Sequence, residues 1–182
     1  MKIRIVQKII DKLRGKPVRF YAFDKKISVH PSADIDSNTE IGDYTFINKC
    51  TDITKAKIGR YCSIGSHVRI GLGEHDINDI STSGYLAKHG GYKFLTRKDC
   101  IIKNDVWIGV GAVIRRGVTI GNGAVIGANS FVNKDVPDFA VVGGCPARIL
   151  KYRFDKEKIE RILQSEYWNF PPEEAKKIIA GL

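Results

Sequence analysis

From Val29 onward, single aliphatic residues return at every sixth position: Val29, Ile35, Ile41, Ile47 and Ile53, then, after one five-residue step, Ile58, Ile64 and Ile70. The series resumes at Ile102 and runs through Ile108, Ile114, Ile120 and Ile126 to Val132. A helix repeats near 3.6 residues and a strand at 2, so neither explains this spacing over so long a run. The fifth position of each hexad carries a second residue that is small or β-branched: Ala33, Thr39, Thr45, Thr51, Cys62, Val68, Val106, Ala112, Val118, Ala124 and Ser130. Glycine often follows the aliphatic directly. Two coupled periods of six predict one short strand and one turn per hexad, with three hexads closing a triangular coil and coils stacking at roughly 4.8 Å. The aliphatic should point into the prism and the fifth residue should fill a corner. Glycine and asparagine near the turns should take up positions of φ > 0 at little cost. The pattern predicts an all-β chain, a hexapeptide-repeat parallel β-helix.

The interruption carries as much information as the repeat. After Ile70 the next aliphatic is due at position 76 but arrives only at Ile102. The intervening "GLGEHDINDISTSGYLAKHGGYKFLTRKDC" is too polar and too rich in glycine and aromatics to form prism wall. Loops this long inside a compact domain are uncommon and usually functional. The ends differ again. "MKIRIVQKIIDKLRGK" sets Ile3, Val6, Ile9, Ile10 and Leu13 at helical spacing among Lys and Arg, which predicts a short basic amphipathic helix. In "DKEKIERILQSEYWNFPPEEAKKIIAGL" a helix is expected from Asp155, its N-cap, to about Glu166, and a second from Pro171, with Glu173 and Glu174 in its first turn. Helices at both ends would cap the open edges of the solenoid. The predicted organisation is residues 1–26 as helix and lead-in, 27–154 as β-helix with an insertion over 71–101, and 155–182 as C-terminal helices.

Composition alters this picture in two ways. The 182 residues carry a net charge of +10, which suits a phosphate-rich ligand or a polyanionic partner but equally a basic solvated surface. Cys50, Cys62, Cys100 and Cys145 are scattered without a CxxC spacing and read as reduced thiols. With no long apolar run and no secretory leader, a cytoplasmic enzyme or binding protein is the default expectation.

Three stretches resemble the hexapeptide-repeat acyltransferases, and more closely the xenobiotic acetyltransferase subgroup with its polysaccharide O-acetyltransferases. "NDVWIGVGAVIRRGVTIGNGAVIGANSFVNKDVPDFAVVGGCPARILKYRF" (Asn104–Phe154) resembles the family's last coils and cofactor-binding strip. "EHDINDIST" (Glu74–Thr82) resembles its active-site loop, where a His is followed six and seven residues later by Ser-Thr. "RFDKEKIERILQSEYWNFPPEEAKKI" resembles its C-terminal helix pair. The resemblance implies a left-handed β-helix, a homotrimer, and acetyl-CoA lying in a groove between adjacent prisms, with no metal. It implies that a loop His acts as general base on an acceptor hydroxyl with no covalent enzyme intermediate.

Carried onto this chain, the base is His75. Asp76 or Asp79 could orient its other ring nitrogen, although a backbone carbonyl often fills that role. Asn78, Asp79, Tyr85 and Tyr92 are candidates for acceptor contact, and loop packing would explain them as well. His67 and His89 are minor candidates, and His30 lies far from the loop in sequence. The resemblance places the cofactor on Gly111, Ala128, Asn133, Lys134, Pro146 and Arg148, with Lys151 as a further cation for phosphate. Two departures stand out: Asn133 replaces the family's usual Thr, and "SGYLAKHGGYKF" follows Ser81-Thr82 where a Pro and an aromatic are usual. The second puts the acceptor's identity in doubt. Trp107 suits packing between subunits.

The expected activity is acetyl transfer from acetyl-CoA to a sugar hydroxyl of a surface polysaccharide or its precursor. N-acetylation of a nucleotide-linked amino sugar is the alternative, and a non-catalytic trimeric scaffold a remote one. A zinc hydratase on the same prism is disfavoured, because no histidine follows His89 and none pairs at the H-x4-H spacing. No nucleic-acid-binding motif accompanies the charge, so no nucleic-acid partner is expected. The basic N-terminal helix would suit weak peripheral membrane contact, or packing across the end of a trimer.

Overall fold

The computed structural model describes residues 26–86 and 98–182. The predicted N-terminal helix and its membrane contact, together with His89 and Tyr92, lie outside the described residues. Elsewhere each hexad forms a strand of two or three residues, and the strands stack into three parallel sheets that wall a triangular prism. The first sheet holds β1 (Ser28–Val29), β4 (Phe46–Ile47), β7 (Ser63–Ile64), β10 (Trp107–Ile108), β13 (Val125–Ile126) and β15 (Ala140–Gly144). The second holds β2 (Asp34–Ile35), β5 (Asp52–Ile53), β8 (Arg69–Ile70), β11 (Val113–Ile114) and β14 (Phe131–Val132). The third holds β3 (Glu40–Ile41), β6 (Ala56–Ile58), β9 (Cys100–Ile102) and β12 (Thr119–Ile120). The chain is a left-handed parallel β-helix of about six turns.

Register keeps like above like. Ile47 pairs with Ile64, Ile64 with Ile108 and Ile108 with Ile126; Ile53, Ile70, Ile114 and Val132 stack on the second sheet. The stacked isoleucines are buried. Each buried aliphatic side chain contributes about 1.5–3 kcal/mol relative to exposure, so the repeated residue is also the main source of stability. Fifth-position residues are interior as expected, and three threonines among them also bond between coils. Thr51 Oγ1 donates to Gly65 O (2.8 Å) and accepts Val68 N–H (3.3 Å). Thr45 does the same with Gly59 O (2.8 Å) and Cys62 N–H (3.1 Å), and Thr39 accepts Ala56 N–H (3.3 Å).

The glycines act differently from the expectation. Positive φ does occur at Gly71, Gly111, Gly117, Gly123 and Asn129, but also at Tyr44, Cys50, Lys55, Tyr61, His67, Asp105 and Phe139. The glycine that follows an aliphatic is instead set by close approach: a Cβ on Gly42 would lie 2.7 Å from Gly59 backbone, and one on Gly109 2.6 Å from Ala128 N.

Two further expectations are corrected at the C-terminal end. The solenoid does not continue to residue 154, because β15 turns at Cys145–Pro146 and returns antiparallel as β16 (Ala147–Tyr152). The helices α1 (Lys156–Ser165) and α2 (Pro172–Ala180) do form; Asp155 caps α1 by accepting Lys158 N–H, and α2 opens one residue later than expected, with Pro171 as its N-cap. They do not cap an end. They run along one corner of the prism, where Phe139 and Tyr61 pack with Ile162, Tyr167, Trp168 and Ala175. Arg60 Nη1 donates to Asn169 O (2.8 Å) and Tyr61 Oη to Phe170 O (2.7 Å), which holds this segment several coils below the hairpin from which it came. The reason is apolar: Tyr61 and Phe139 lie at the same corner, with Asp105 and Gly123 on the coils between them, and offer aromatic surface that the helical segment covers. The insertion is also shorter by two residues than 71–101, since wall resumes with β9 at Cys100.

Candidate active site

The loop leaves the prism at Gly71, at the end of β8, and carries His75 four residues later. His75 is exposed, and its Nδ1 lies 2.6 Å from the carbonyl oxygen of Thr82. A carbonyl can only accept, so Nδ1 carries the proton, and in the neutral ring Nε2 is then the nitrogen with the lone pair. Both halves of the "H…ST" spacing are thereby used: the loop turns so that the Thr end holds the imidazole in one tautomer. Asp76 Oδ1 accepts Asn78 N–H (2.9 Å) and Asp79 Oδ1 accepts Ile80 N–H (2.7 Å), so each carboxylate shapes the loop backbone. Nδ1 is engaged by the Thr82 carbonyl, whereas these carboxylate contacts are to backbone N–H groups.

Glu74, next to His75, receives both arms of Arg115: Nε to Oε1 at 2.6 Å and Nη2 to Oε2 at 3.3 Å. This paired geometry fixes direction as well as distance. Arg115 follows Ile114 of β11, so the pair ties the loop to the coil above its root. Sequence reasoning missed the contact. Its only signal was the Arg115-Arg116 doublet, two large cations at a corner between hexads.

Register shows where the cofactor candidates lie relative to His75. Ile70, Ile114 and Val132 stack on the second sheet, so the residues that follow them, Gly71, Arg115 and Asn133, form a column on successive coils. The backbone bonds Gly71 N–H to Ile114 O (3.0 Å) and Arg115 N–H to Val132 O (2.9 Å) confirm it. Asn133 thus sits one coil above the arginine that holds the His75 loop, with Lys134 exposed beside it. At the other border of the same face, Asn129 N–H donates to Val110 O (2.8 Å), which sets Gly111 beneath Asn129, and Ala128 is exposed alongside. A Cβ on Gly111 would collide with Asn129 Oδ1. Pro146 and Arg148 are exposed on the hairpin, the Arg148 side chain donating to Ala147 O (2.8 Å).

One buried polar atom in this strip is of interest. Among the described residues, Asn133 Oδ1 is buried and has no hydrogen-bond partner. A buried acceptor left unpaired costs about 1–3 kcal/mol, which a donor from a bound molecule would offset. Asn78 and Tyr85 are exposed, Tyr85 fully so, and Asp79 is half-buried. His67 is an exposed corner residue, and His30 bonds locally to Ser32 (2.9 Å).

Comparison with known proteins agrees with this fold. Residues 99–134 match the family model described as bacterial transferase hexapeptide (six repeats). A chloramphenicol acetyltransferase from Morganella morganii is 38% identical over 135 residues, 69% of this chain and 64% of that protein. The chain therefore spans a little under two thirds of that relative's length. A hexapeptide-repeat acetyltransferase from Vibrio cholerae O1 biovar eltor, solved in complex with acetyl-CoA, superposes with a TM-score of 0.63 at 34% identity, covering 72% of this chain and 70% of that one. A maltose O-acetyltransferase from Clostridium difficile 630 gives a TM-score of 0.63 at 26% identity over 85% and 90%. The chain belongs to the hexapeptide-repeat acyltransferase family.

Proposed function

We propose that this chain is an acetyl-CoA-dependent O-acetyltransferase with His75 as general base and a sugar hydroxyl as acceptor, acting as a trimer in the cytoplasm. The observation that carries the reading is the bond from His75 Nδ1 to Thr82 O (2.6 Å), which leaves Nε2 free to take a proton. The acceptor oxygen loses its proton to Nε2 as it bonds to the acetyl carbonyl carbon. The C–S bond then breaks, and the proton held on the imidazole is available to the departing thiolate. Asn133, Lys134, Pro146, Arg148, Ala128 and Gly111 hold the long thioester along the face bordered by Gly71, Arg115 and Asn133. The unpaired Oδ1 of Asn133 supports a donor from the cofactor at that point. Acetyl-CoA in the Vibrio neighbour and O-acetylation in the name of the Clostridium neighbour support the same chemistry.

The test is thiol release from acetyl-CoA across simple sugars, nucleotide-linked amino sugars, glycan fragments and chloramphenicol, with His75→Ala in parallel. The acceptor that supports turnover should be a hydroxyl compound, and His75→Ala should lower kcat by about a hundredfold or more, the usual contribution of a positioned base. Turnover confined to an amine, and surviving the substitution, would reassign the enzyme to N-acetylation of an amino sugar.

A further inference from the structure

Where the loop leaves the prism, one coil has no corner. The third coil should pass from β8 to β9 through a few residues, but the chain instead departs at Gly71 and returns at Lys98, which opens a gap between the second and fourth coils. Thr54 stands below the gap, one coil down from Gly71 (its N–H donates to Ile70 O, 3.0 Å). Arg116 stands above it, following Arg115.

Arg116 fills the gap. Its side chain is 8% exposed, unusual for an arginine on a solenoid corner. Nη2 donates to Thr54 Oγ1 at 2.7 Å, two coils below and 62 residues away in sequence. Nη1 reaches the carbonyl of Lys98, on the returning stem, at 3.5 Å. Thr54 Oγ1 passes the contact on by donating to the carbonyl of Gly71, on the departing stem. One guanidinium thus joins both stems and the coil beneath them, and among the described residues its buried Nε has no hydrogen-bond partner. Had the corner been built in the ordinary way, its backbone would occupy the space the side chain now crosses.

We infer that Arg116 is a positioning residue: with Thr54 it sets the separation of the two loop stems, and so the placement of His75 and its bond to Thr82. This rests on the reading of His75 as the base. Arg115 holds the loop from outside through Glu74, while Arg116 holds it from within the wall. Arg116 touches no reacting atom, so its effect must arrive through the loop. Displacing a reacting group by about 1 Å can cost about a hundredfold in rate, so such a device has kinetic weight.

The test reads the imidazole directly. Long-range ¹⁵N–¹H spectra of the labelled full chain report which ring nitrogen is protonated, and His75→Ala assigns the His75 signals. In the wild type His75 should be mainly the Nδ1–H form. In Arg116→Met, and in Thr54→Val, which removes the shared hydroxyl with little change of shape, it should shift toward the Nε2–H form that free histidine prefers. Circular dichroism of each variant should stay that of the wild type, and if Arg116→Met does not fold, Thr54→Val decides. On the acceptor found above, both variants should lower kcat while KM for acetyl-CoA stays near the wild-type value, and neither should lower kcat further in a His75→Ala background. An unchanged His75 tautomer in a folded variant would overturn the inference. Undiminished turnover by His75→Ala would instead overturn the base assignment and leave the tautomer result to judge the clamp alone.

Discussion

At the scale of single residues, this chain puts reactive groups in two contrasting settings. His75 lies exposed on a loop, its Nδ1 against the Thr82 carbonyl. Cys62 lies inside the prism, where burial pushes its thiol up from 9.0 to about 12 and its Sγ donates to Lys103 O (3.0 Å). Cys100 is raised by burial in the same way. A thiol that holds its proton more tightly in the folded state stabilises that state fully below the unfolded value, and the contribution fades as pH rises through the folded one. Stability should therefore decline from about pH 9 toward pH 12 as the unfolded thiols ionise first. Denaturant titrations across that window should show the decline, and Cys62→Ala should flatten it. Native protein should also release no Cys62 thiol to a chromogenic disulfide, whereas exposed Cys145 should react at once. Polar residues inside the wall follow one logic with these thiols, since the hydroxyls of Thr45 and Thr51 each join two coils. The pattern marked them as small corner residues, but the bonds depend on which coil lies above.

Among the elements, the C-terminal helices are held in a way the pattern of apolar residues did not reveal. Their spacing and caps were largely legible: Asp155 as N-cap of α1 and the Pro-Pro pair before Glu173 and Glu174 are local features of the chain, although α2 begins at Pro172 and not at Pro171. Their resting place was not. It depends on Tyr61, Phe139 and the Tyr44 ring stacked on Tyr61 at 4.8 Å, residues that come together only when coils stack. The hydroxyl of Tyr61 is the polar end of that contact, so Tyr61→Phe should leave the prism intact while exposing Phe170 O without its donor. The variant should lose about 0.5–1.5 kcal/mol of stability, the net worth of one such bond. Hydrogen–deuterium exchange should rise over 156–180 and stay unchanged over β10 to β14; uniform protection would mean that apolar packing alone holds the helices.

For the whole molecule, the prism leaves apolar side chains on its outer faces. Trp107 is 58% exposed on the first sheet, with Phe46 at 45% on the same sheet and Val113 at 38% on the second. An exposed aromatic on a flat wall suits burial against another copy of the chain, as the proposed trimer requires. Trp107→Glu would place a charge where that packing occurs. Light scattering should give a mass near three times 20.3 kDa for the wild type and a smaller species for the variant. A variant with unchanged mass would move the subunit contact elsewhere.

What the sequence determined by itself was the wall. Each hexad repeats the same local requirement, an inward aliphatic, a compact corner and a turn, and repetition makes one local rule visible many times over. The break after Ile70 announced a loop, because the interruption of a period is itself written along the chain. The tertiary structure decided everything that passes between coils. Thr82 orients His75 through a backbone carbonyl, a group every residue possesses and none advertises. Arg116 reaches Thr54 across two coils, a contact that exists only because one corner was removed from between them. Periodicity is read along the chain, whereas the stacking that assembles the site runs across it.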